Sequence, residues 1–195
     1  MKCLVCFLEE RSAKVMLEEV LSRLLPSDVT FQCIAFDGKQ DLEKQLVRKL
    51  KGWNRPNSVF LVMRDQDQSN CMDVKIRLQG LCQEAGKPET LVRIACQELE
   101  SFYFGDLSAV AKGLDLPDIE RYKTKRLYRD PDQIINPGDE LKKLTGKLTS
   151  NKNVYSKVLG SRSIAPHLSL DGSTNTSNSF NVLLSGIIKL VGFET

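Results

Sequence analysis

The sequence predicts an α/β protein built around a parallel β-sheet. Through roughly the first hundred residues, short apolar runs typical of buried strands alternate with segments whose apolar residues recur at helical spacing. This alternation is typical of right-handed crossovers, which leave helices on the faces of the sheet. A chain of 195 residues is also long enough for one substantial core, because surface scaling gives roughly 70% burial. We therefore expect a sheet of about four strands with helices on both faces.

The first two strands are separated by an amphipathic helix. Residues 2–8 form a short apolar run that predicts a buried strand. From Ser12 the apolar residues recur every three or four positions, and Pro26 ends this predicted helix. Residues 29–36 are rich in β-formers and end at Asp37-Gly38, a turn signal. These segments give the first strand–helix–strand unit.

Two more units follow in the same order. A second helix carries Leu42, Leu46 and Leu50 on one face, and residues 58–63 are the third predicted strand. Residues 91–96 are the fourth. The helix between these strands has an apolar face made by Val74, Leu78, Leu81, Cys82 and Ala85.

After the fourth strand the alternation stops. Residues 98–114 predict a helix with an aromatic cluster, followed by a polar stretch in which prolines bound short helical pieces. Residues 171–179 are strongly loop-like, and residues 180–191 predict a closing helix over the sheet. We expect an α/β core over residues 1–112 and a helical, loop-rich extension over residues 113–195, packed as one globular unit.

Composition excludes several classes of protein. No window approaches the 18 or so apolar residues of a membrane span, and the apolar start meets acids before any cleavage-type sequence, so neither membrane insertion nor secretion is expected. The six cysteines lie mostly in apolar runs, which predicts buried thiols in a reducing cytoplasm. With His167 as its single histidine and no G-x-x-x-x-G-K-[ST] loop, the chain is not expected to hold zinc, a serine–histidine triad or a P-loop.

Charge is distributed unevenly along the chain. From Arg121 to Arg162 there are eleven basic and four acidic residues, a charge of +7, which leaves −4 of the net +3 for the remainder. Within that segment, tyrosines interleave with the candidate nucleic-acid-binding residues Lys123, Lys125, Arg126 and Arg129. The mixture suits phosphate contact with base stacking on single strands. It equally suits a helix with inward-facing tyrosines and solvated bases.

The most specific chemical motif is the pair Asp65 and Asp67 after the third strand. In extended backbone, residues i and i+2 point the same way, so both carboxylates are expected to face one point. Like charges so close favour a cation between them, and oxygen ligands without a matching Cys or His set favour Mg²⁺ or Mn²⁺. The alternative is a helix N-cap in a surface loop.

Further acids follow two other strands. In open α/β sheets the ligand lies beyond the carboxyl ends of the strands. The first strand leads into Glu9 and the fourth into Glu98 and Glu100. Glu9 is a candidate third ligand or general base, or else a solvated acid favoured by the helix dipole. Lys39 and Arg93 are candidate cationic contacts to phosphate, although a plain turn also explains the residues around Lys39.

The acidic pattern resembles that of the Toprim domain, the metal-binding unit of topoisomerases, primases and the overcoming-lysogenisation-defect nucleases. More closely, the whole chain is similar to a bacterial family of unknown function with a Toprim-like core, often encoded beside an ATPase gene. The segments that carry the similarity are spread over almost the whole chain: LEERSA (8–13), FDGKQDL (36–42), RDQDQSNC (64–71), VRIACQELESFYFGD (92–106), RDPDQI (129–134), IAPHL (164–168) and NTSNSF (175–180).

The resemblance implies a Toprim-like parallel sheet followed by a mostly helical C-terminal extension. It makes Glu9 the Toprim glutamate and Asp65 and Asp67 the metal-binding pair, so that these three residues carry catalysis with Mg²⁺ or Mn²⁺. It also assigns Glu98 and Glu100 to the metal-binding acids that follow the fourth strand.

The same resemblance implies a Mg²⁺-dependent nuclease that acts on DNA or RNA, with an ATPase partner, in phage defence. A second hypothesis is a non-catalytic regulatory or nucleic-acid-binding subunit of an ATPase-containing complex, for which Phe102, Tyr103 and Phe104 are a candidate docking surface. A third is a nucleic-acid-binding module with vestigial acids. The sequence is also compatible with a homo-oligomer. Ala13 stands where related nucleases often place a second acid, which is compatible with one ion instead of two.

Overall fold

The computed structural model describes residues 1–149 and 155–192. Residues 150–154 and 193–195 of the predicted extension, including Lys152 of the eleven basic residues from Arg121 to Arg162, therefore lie outside the described residues. The chain forms a parallel four-stranded sheet in the order β2-β1-β3-β4. The strands are β1 (Lys2–Leu8), β2 (Val29–Ala35), β3 (Ser58–Asp65) and β4 (Leu91–Ala95). The predicted α/β class and its parallel sheet are confirmed.

Helices connect the strands and build the extension. The crossover helices are α1 (Arg11–Leu24), α2 (Lys39–Lys51) and α3 (Cys71–Glu84). The later helices are α4 (Glu100–Phe104), α5 (Leu107–Leu114), α6 (Pro137–Leu148), α7 (Lys157–Ile164) and α8 (Asn178–Val191). Short 3-10 segments occur at Pro117–Thr124, Arg126–Tyr128, Pro131–Gln133 and Ala165–His167. No helix among the described residues is both long and apolar enough to cross a membrane.

The prediction of one continuous helix over residues 98–114 is wrong. Two helices, α4 and α5, occupy this segment because Asp106 starts a new helix. Its Oδ1 accepts a hydrogen bond from the backbone N of Ala109 at 3.1 Å, which is the geometry of an N-cap. The predicted division after residue 112 falls within α5, and it remains a prediction.

The sheet separates two apolar cores. Successive side chains of β1 point to opposite faces, so Leu4, Cys6 and Leu8 enter one core, whereas Cys3, Val5 and Phe7 enter the other. The first core includes α1, α4, α5 and α8, and the second lies under α2 and α3. Each fully buried leucine or phenylalanine contributes about 1.5–3 kcal/mol. This burial fixes the strand ends that carry the candidate site.

The aromatic cluster belongs to the first core. Phe102, Tyr103 and Phe104 are buried, and the Tyr103 hydroxyl donates to Ser161 Oγ at 2.6 Å. The hypothesis that this cluster is a docking surface is therefore wrong. Its apolar rings instead hold α4 beneath the extension.

A buried polar network ties the extension to α4. Asp132 accepts hydrogen bonds from Ser177 Oγ and from the backbone N and Oγ of Ser179, at 2.7, 2.7 and 2.9 Å. Asn175 Nδ2 donates to the Phe102 carbonyl at 3.0 Å. Gly105 lies against this loop so closely that a Cβ there would be 2.7 Å from the backbone N of Ser177. The segments 129–134 and 175–180, which carry part of the resemblance to the family, therefore hold the extension in place.

Candidate metal centre

The carboxyl ends of β1, β3 and β4 lie at the same edge of the parallel sheet, and acidic residues occur at each of them. Glu9 follows β1, and its Oε2 accepts a hydrogen bond from the backbone N of Asp65, the last residue of β3, at 3.0 Å. The backbone N of Asp67 donates to the carbonyl of Gln97 at 2.7 Å, which joins the loops after β3 and β4. These bonds hold the acid-bearing segments together.

Asp65 lies in an environment that disfavours its charge. The residue is 7% exposed. Burial, followed by the negative charges of Glu100 and Glu9, raises the pKa of the Asp65 carboxyl well above its ordinary value. Within residues 1–149 and 155–192, the Asp65 carboxylate has neither a hydrogen bond nor an ion pair. A cation placed there would offset the repulsion.

Glu100 is a second buried acid beside Asp65. It is the first residue of α4 and is fully buried. Tyr155 donates its hydroxyl to Glu100 Oε1 at 2.7 Å, whereas the buried Oε2 has no hydrogen-bond partner among the residues that the structure describes. Burial raises the pKa of the Glu100 carboxyl. An unpartnered buried carboxylate oxygen fits a group that accepts a lone pair, such as a metal ion.

Asp65 and Asp67 do not lie on one continuous extended strand, which is the backbone that the predicted alignment of their carboxylates required. The strand ends at Asp65, and Asp67 adopts a left-handed backbone with φ 54°. Asp67 Oδ2 lies 2.8 Å from Lys39 Nζ and 3.6 Å from Arg64 Nη2. Within the described part of the chain, no three histidine, cysteine or acidic side chains converge closely enough to hold a metal ion.

Arg64 is a site residue that the sequence analysis missed. Its guanidinium is 5% exposed and donates from Nη1 to Glu43 Oε1 at 2.8 Å. Its Nε donates to the Asp65 carbonyl at 3.0 Å and lies 3.7 Å from Glu9 Oε2. Arg77 binds the other oxygen of Glu43 at 3.0 Å. The signal in the sequence was an arginine directly after the apolar run 58–63, before Asp65.

Lys157, the first residue of α7, supplies a cation from the extension. Its Nζ lies 3.6 Å from Glu10 Oε1, which also accepts a hydrogen bond from Ser12. Burial lowers the pKa of Lys157, but the charges of Glu100, Glu10 and Asp65 outweigh burial and leave the pKa above its ordinary value. Lys157 therefore stays protonated beside the buried acids. Lys157 is one of the eleven basic residues from Arg121 to Arg162, but no local sequence pattern distinguished it from the others.

Glu98 contacts the start of α6. Its Oε2 accepts a hydrogen bond from the backbone N of Gly138 at 2.8 Å. A Cβ on Gly138 would lie 2.6 Å from that oxygen, so a larger residue would displace Glu98. The N-terminus of the 12-residue helix α6 also favours the negative charge of Glu98.

Two polar cavities meet at Glu98 and Asn136. The first has a volume of about 470 Å³ and is lined by Lys39, Asp67, Gln68, Ser69, Gln97, Glu98 and Asn136. The second, of about 440 Å³, is lined by Glu98, Asn136, Gly138, Asp139, Lys142, Tyr155, Ser156 and Lys157. Together they form a groove, the edge groove, along the acidic end of the sheet.

Arg93 lies apart from the edge groove. Its guanidinium donates to the carbonyls of Val182 and Val92 at 3.2 and 3.0 Å, and it packs against Gly186 of α8. These bonds cover the outer edge of β4, which is how many sheets protect an unpaired strand. The structure therefore gives Arg93 a local structural role, whereas Lys39 lies at the candidate site.

The basic residues of the extension form an exposed surface, here called the basic segment: Lys123, Lys125, Arg126 and Arg129. The tyrosine between them packs inward. Tyr128 is buried and stacks on Phe104, with ring centroids 5.1 Å apart and an interplanar angle of 9°. The backbone is a 3-10 helix here, and the rings of Tyr128 and Phe104 are not free to stack on bases.

The raised carboxyl pKa values predict an unusual pH dependence of stability in metal-free buffer. A carboxyl whose pKa is raised on folding contributes stability below its unfolded pKa, and that contribution is lost as pH rises through the folded pKa. Asparagine does not ionise, so Asp65→Asn does not lose stability at this position as the pH rises. In scanning calorimetry with chelator, we expect the Tm of Asp65→Asn minus that of the parent to increase from pH 4.5 to 8. A difference that does not change with pH would contradict the assignment.

The comparisons with known proteins agree with this architecture. The family model described as "Domain of unknown function (DUF4276)" matches residues 8–188. The chain is also similar to the solved structure of the C-terminal region of the Burkholderia pseudomallei OLD protein, with a TM-score of 0.57 and 14% identity, over 97% of this chain and 98% of that chain. No curated protein matches the chain.

The chain belongs to the DUF4276 family, because the family model covers most of its length. The predicted membership of a family of unknown function is confirmed. The predicted relation to OLD-type proteins is confirmed in the fold, including the mostly helical part that follows the sheet.

Proposed function

We propose that this member of the DUF4276 family is a divalent-metal-dependent nuclease that hydrolyses phosphodiester bonds in DNA or RNA. The observation that carries the proposal is the buried pair Asp65 and Glu100. Both carboxyls have raised pKa values, and neither has a cationic partner within hydrogen-bond distance among the described residues. This pair lies at the carboxyl edge of a parallel sheet, where open α/β folds bind their ligands.

The acids present fit Mg²⁺ or Mn²⁺. Both ions prefer oxygen ligands and need only a few protein carboxylates. Glu9, Asp65 and Asp67 would hold the ion once the Asp67 carboxylate turns from Lys39 toward the other two, with Glu98 and Glu100 as further acids. Glu100 Oε2, which has no hydrogen-bond partner among the described residues, supports a cation nearby. When bound, such an ion supplies an activated water and stabilises charge at the phosphorus.

The residues around these acids have separate roles in the proposal. Arg64 holds Glu9 and Glu43 in place from the buried side, so it acts as a positioning residue. Lys157 keeps a positive charge beside the buried acids and lines the edge groove, where it can bind a phosphate. The edge groove is lined by Asp67 and Glu98, so a strand bound in it would lie beside two of the proposed metal-binding acids.

Nucleic-acid binding by the basic segment is a separate prediction. Neutralising Lys125 and Arg126 together is expected to weaken binding of a single-stranded oligonucleotide. The slope of log K against log salt should become shallower by about 0.7 for each phosphate that the variant no longer neutralises. Fluorescence anisotropy at several salt concentrations measures both quantities. The charge-matched control Lys49→Ala/Lys51→Ala, on exposed positions of α2, should bind as the parent does, and equal weakening by both variants would argue against a specific surface.

We also propose that the chain acts with a separately encoded ATPase in phage defence. The support is the resemblance of the sequence and the lack of a P-loop motif in these 195 residues. Co-purification with an ATPase encoded beside the gene tests this association. Cleavage that is identical with and without that ATPase would count against it.

A cleavage assay tests the nuclease proposal. The purified chain is incubated with single-stranded and duplex DNA and RNA in Mg²⁺, in Mn²⁺ and in chelator, alone and with the ATPase. Cleavage that requires the metal supports the proposal. Metal binding without cleavage in every arm would instead favour the non-catalytic regulatory subunit, since the site would then bind an ion without using it.

A further inference from the structure

We propose that Lys39 is a resident cation that competes with the divalent metal for Asp67, so that the site lowers its own affinity for metal. This inference rests on the proposed metal site. It assigns to Lys39 a regulatory role at that site, distinct from a contact to substrate.

The contact itself is the first observation. Lys39 Nζ lies 2.8 Å from Asp67 Oδ2, which is the distance of a direct charge-assisted hydrogen bond. Arg64 reaches the same oxygen only at 3.6 Å. The ammonium of Lys39 therefore binds one of the two oxygens of a proposed metal ligand and neutralises its charge, so it competes with an ion for this carboxylate.

The chain places Lys39 at this position through its backbone. The backbone N of Phe36 donates to the Leu8 carbonyl at 2.9 Å, and the backbone N of Gly38 donates to the Glu9 carbonyl at 3.0 Å. Gly38 has φ 95°, a conformation that favours glycine, and Lys39 is the first residue of α2. The loop after β2 is thus anchored to the end of β1, so the Lys39 and Asp67 side chains can separate without a change in the backbone.

Lys39 and Arg64 differ in how easily they can leave the acids. The Arg64 side chain is 5% exposed and is held by Glu43 and by a backbone carbonyl. The Lys39 side chain is 47% exposed, and within the described residues Asp67 is its only ion-pair partner. Lys39 also lines the 470 Å³ cavity, which gives a released side chain space. Arg64 is therefore a permanent part of the site, and Lys39 is exchangeable.

The expected effect follows from the exposure of the pair. An exposed ion pair contributes about 0.2–1 kcal/mol, which a metal must offset when it takes the aspartate. Removing the ammonium should therefore tighten metal binding by about 1.4-fold to 5-fold, from the same range. Removing any positive charge near the site also strengthens the general attraction of the site for a metal cation, by a smaller amount. A control must separate this general effect from the loss of direct competition by Lys39.

Calorimetric titration with Mn²⁺ alone tests the inference without measuring activity. The variants are Lys39→Met, which removes the charge, and Lys39→Arg, which keeps it. Lys49→Met is the matched control, because Lys49 is an exposed residue of the same helix near its other end. We expect tighter Mn²⁺ binding in Lys39→Met only, with Lys39→Arg and Lys49→Met close to the parent. Binding in Lys39→Met but not in the parent would support the same competition.

The outcomes separate this inference from the metal site. If the parent binds Mn²⁺ and Lys39→Met binds it equally or more weakly, the competition is wrong and the metal site stands. Equal tightening in Lys39→Met and Lys49→Met also overturns the competition, because the effect is then general charge. If neither the parent nor Lys39→Met binds Mn²⁺, the proposed metal site fails and the inference fails with it.

Discussion

Replacing Asp65 by asparagine is expected to abolish metal-dependent cleavage of nucleic acid. The change keeps the size of the side chain and removes the charge that would hold the ion. A catalytic metal contributes several kcal/mol to transition-state stabilisation, and a loss of about 4 kcal/mol corresponds to roughly 10³-fold in rate. The fold should persist because, among the described residues, the Asp65 carboxylate makes no hydrogen bond that asparagine would lose. Initial cleavage rates in Mn²⁺ measure the effect.

The control for this variant is Asp73→Asn. Asp73 is an exposed acid in the first turn of α3, close to Asp65 in sequence and without a side-chain partner in the described part of the chain. The Asp73→Asn variant should cleave nucleic acid at the same rate as the parent. An Asp65→Asn protein that is folded and cleaves at the parental rate would show that the assigned site is wrong.

The largest expected loss of stability comes from Asp132→Ala. Asp132 is 8% exposed and accepts three hydrogen bonds from Ser177 and Ser179. Alanine leaves those donors buried without an acceptor. Hydrogen bonds to charged groups contribute about 1.5–3 kcal/mol each and are not additive, so we expect the free energy of unfolding to fall by about 3–5 kcal/mol. Urea denaturation followed by circular dichroism measures it.

Two companion variants make this result interpretable. Asp132→Asn keeps an acceptor oxygen and should lose less stability than Asp132→Ala. Asp130→Ala, at an exposed neighbouring position, should change the free energy by about 0.5 kcal/mol or less. A loss below about 1 kcal/mol in Asp132→Ala would mean that the network does not hold the extension on the sheet.

Most of the core could be predicted from local patterns. The apolar runs 2–8 and 58–63 are buried on both faces in a parallel sheet, so they are continuously apolar, and helical periodicity marked the crossovers. The break between α4 and α5 was not predicted, because Gly105-Asp106 lies inside an apolar segment that is compatible with a continuous helix. The N-cap at Asp106 is local, but the close packing of Gly105 on the Asn175 loop, far along the chain, depends on tertiary structure.

The candidate site was predictable only in part. Glu9, Asp65 and the acids after β4 occur at the ends of parallel strands, and this was sufficient to predict that they lie at one edge of the sheet. The backbone turn at Asp67 was not predictable from alternation, because alternation holds only while the strand continues. Lys157 and Tyr155 reach the site from the extension, so their roles depend on tertiary packing that no local pattern encodes.

Crystals grown with Mn²⁺ and measured at its absorption edge test the central claim most directly. We predict an anomalous peak bound by oxygens of Asp65 and Glu9, with the Asp67 carboxylate turned from the Lys39 ammonium toward the ion. Absence of a peak at this edge of the sheet, with Asp67 still paired to Lys39 at saturating Mn²⁺, would contradict the claim that these acids form a metal centre.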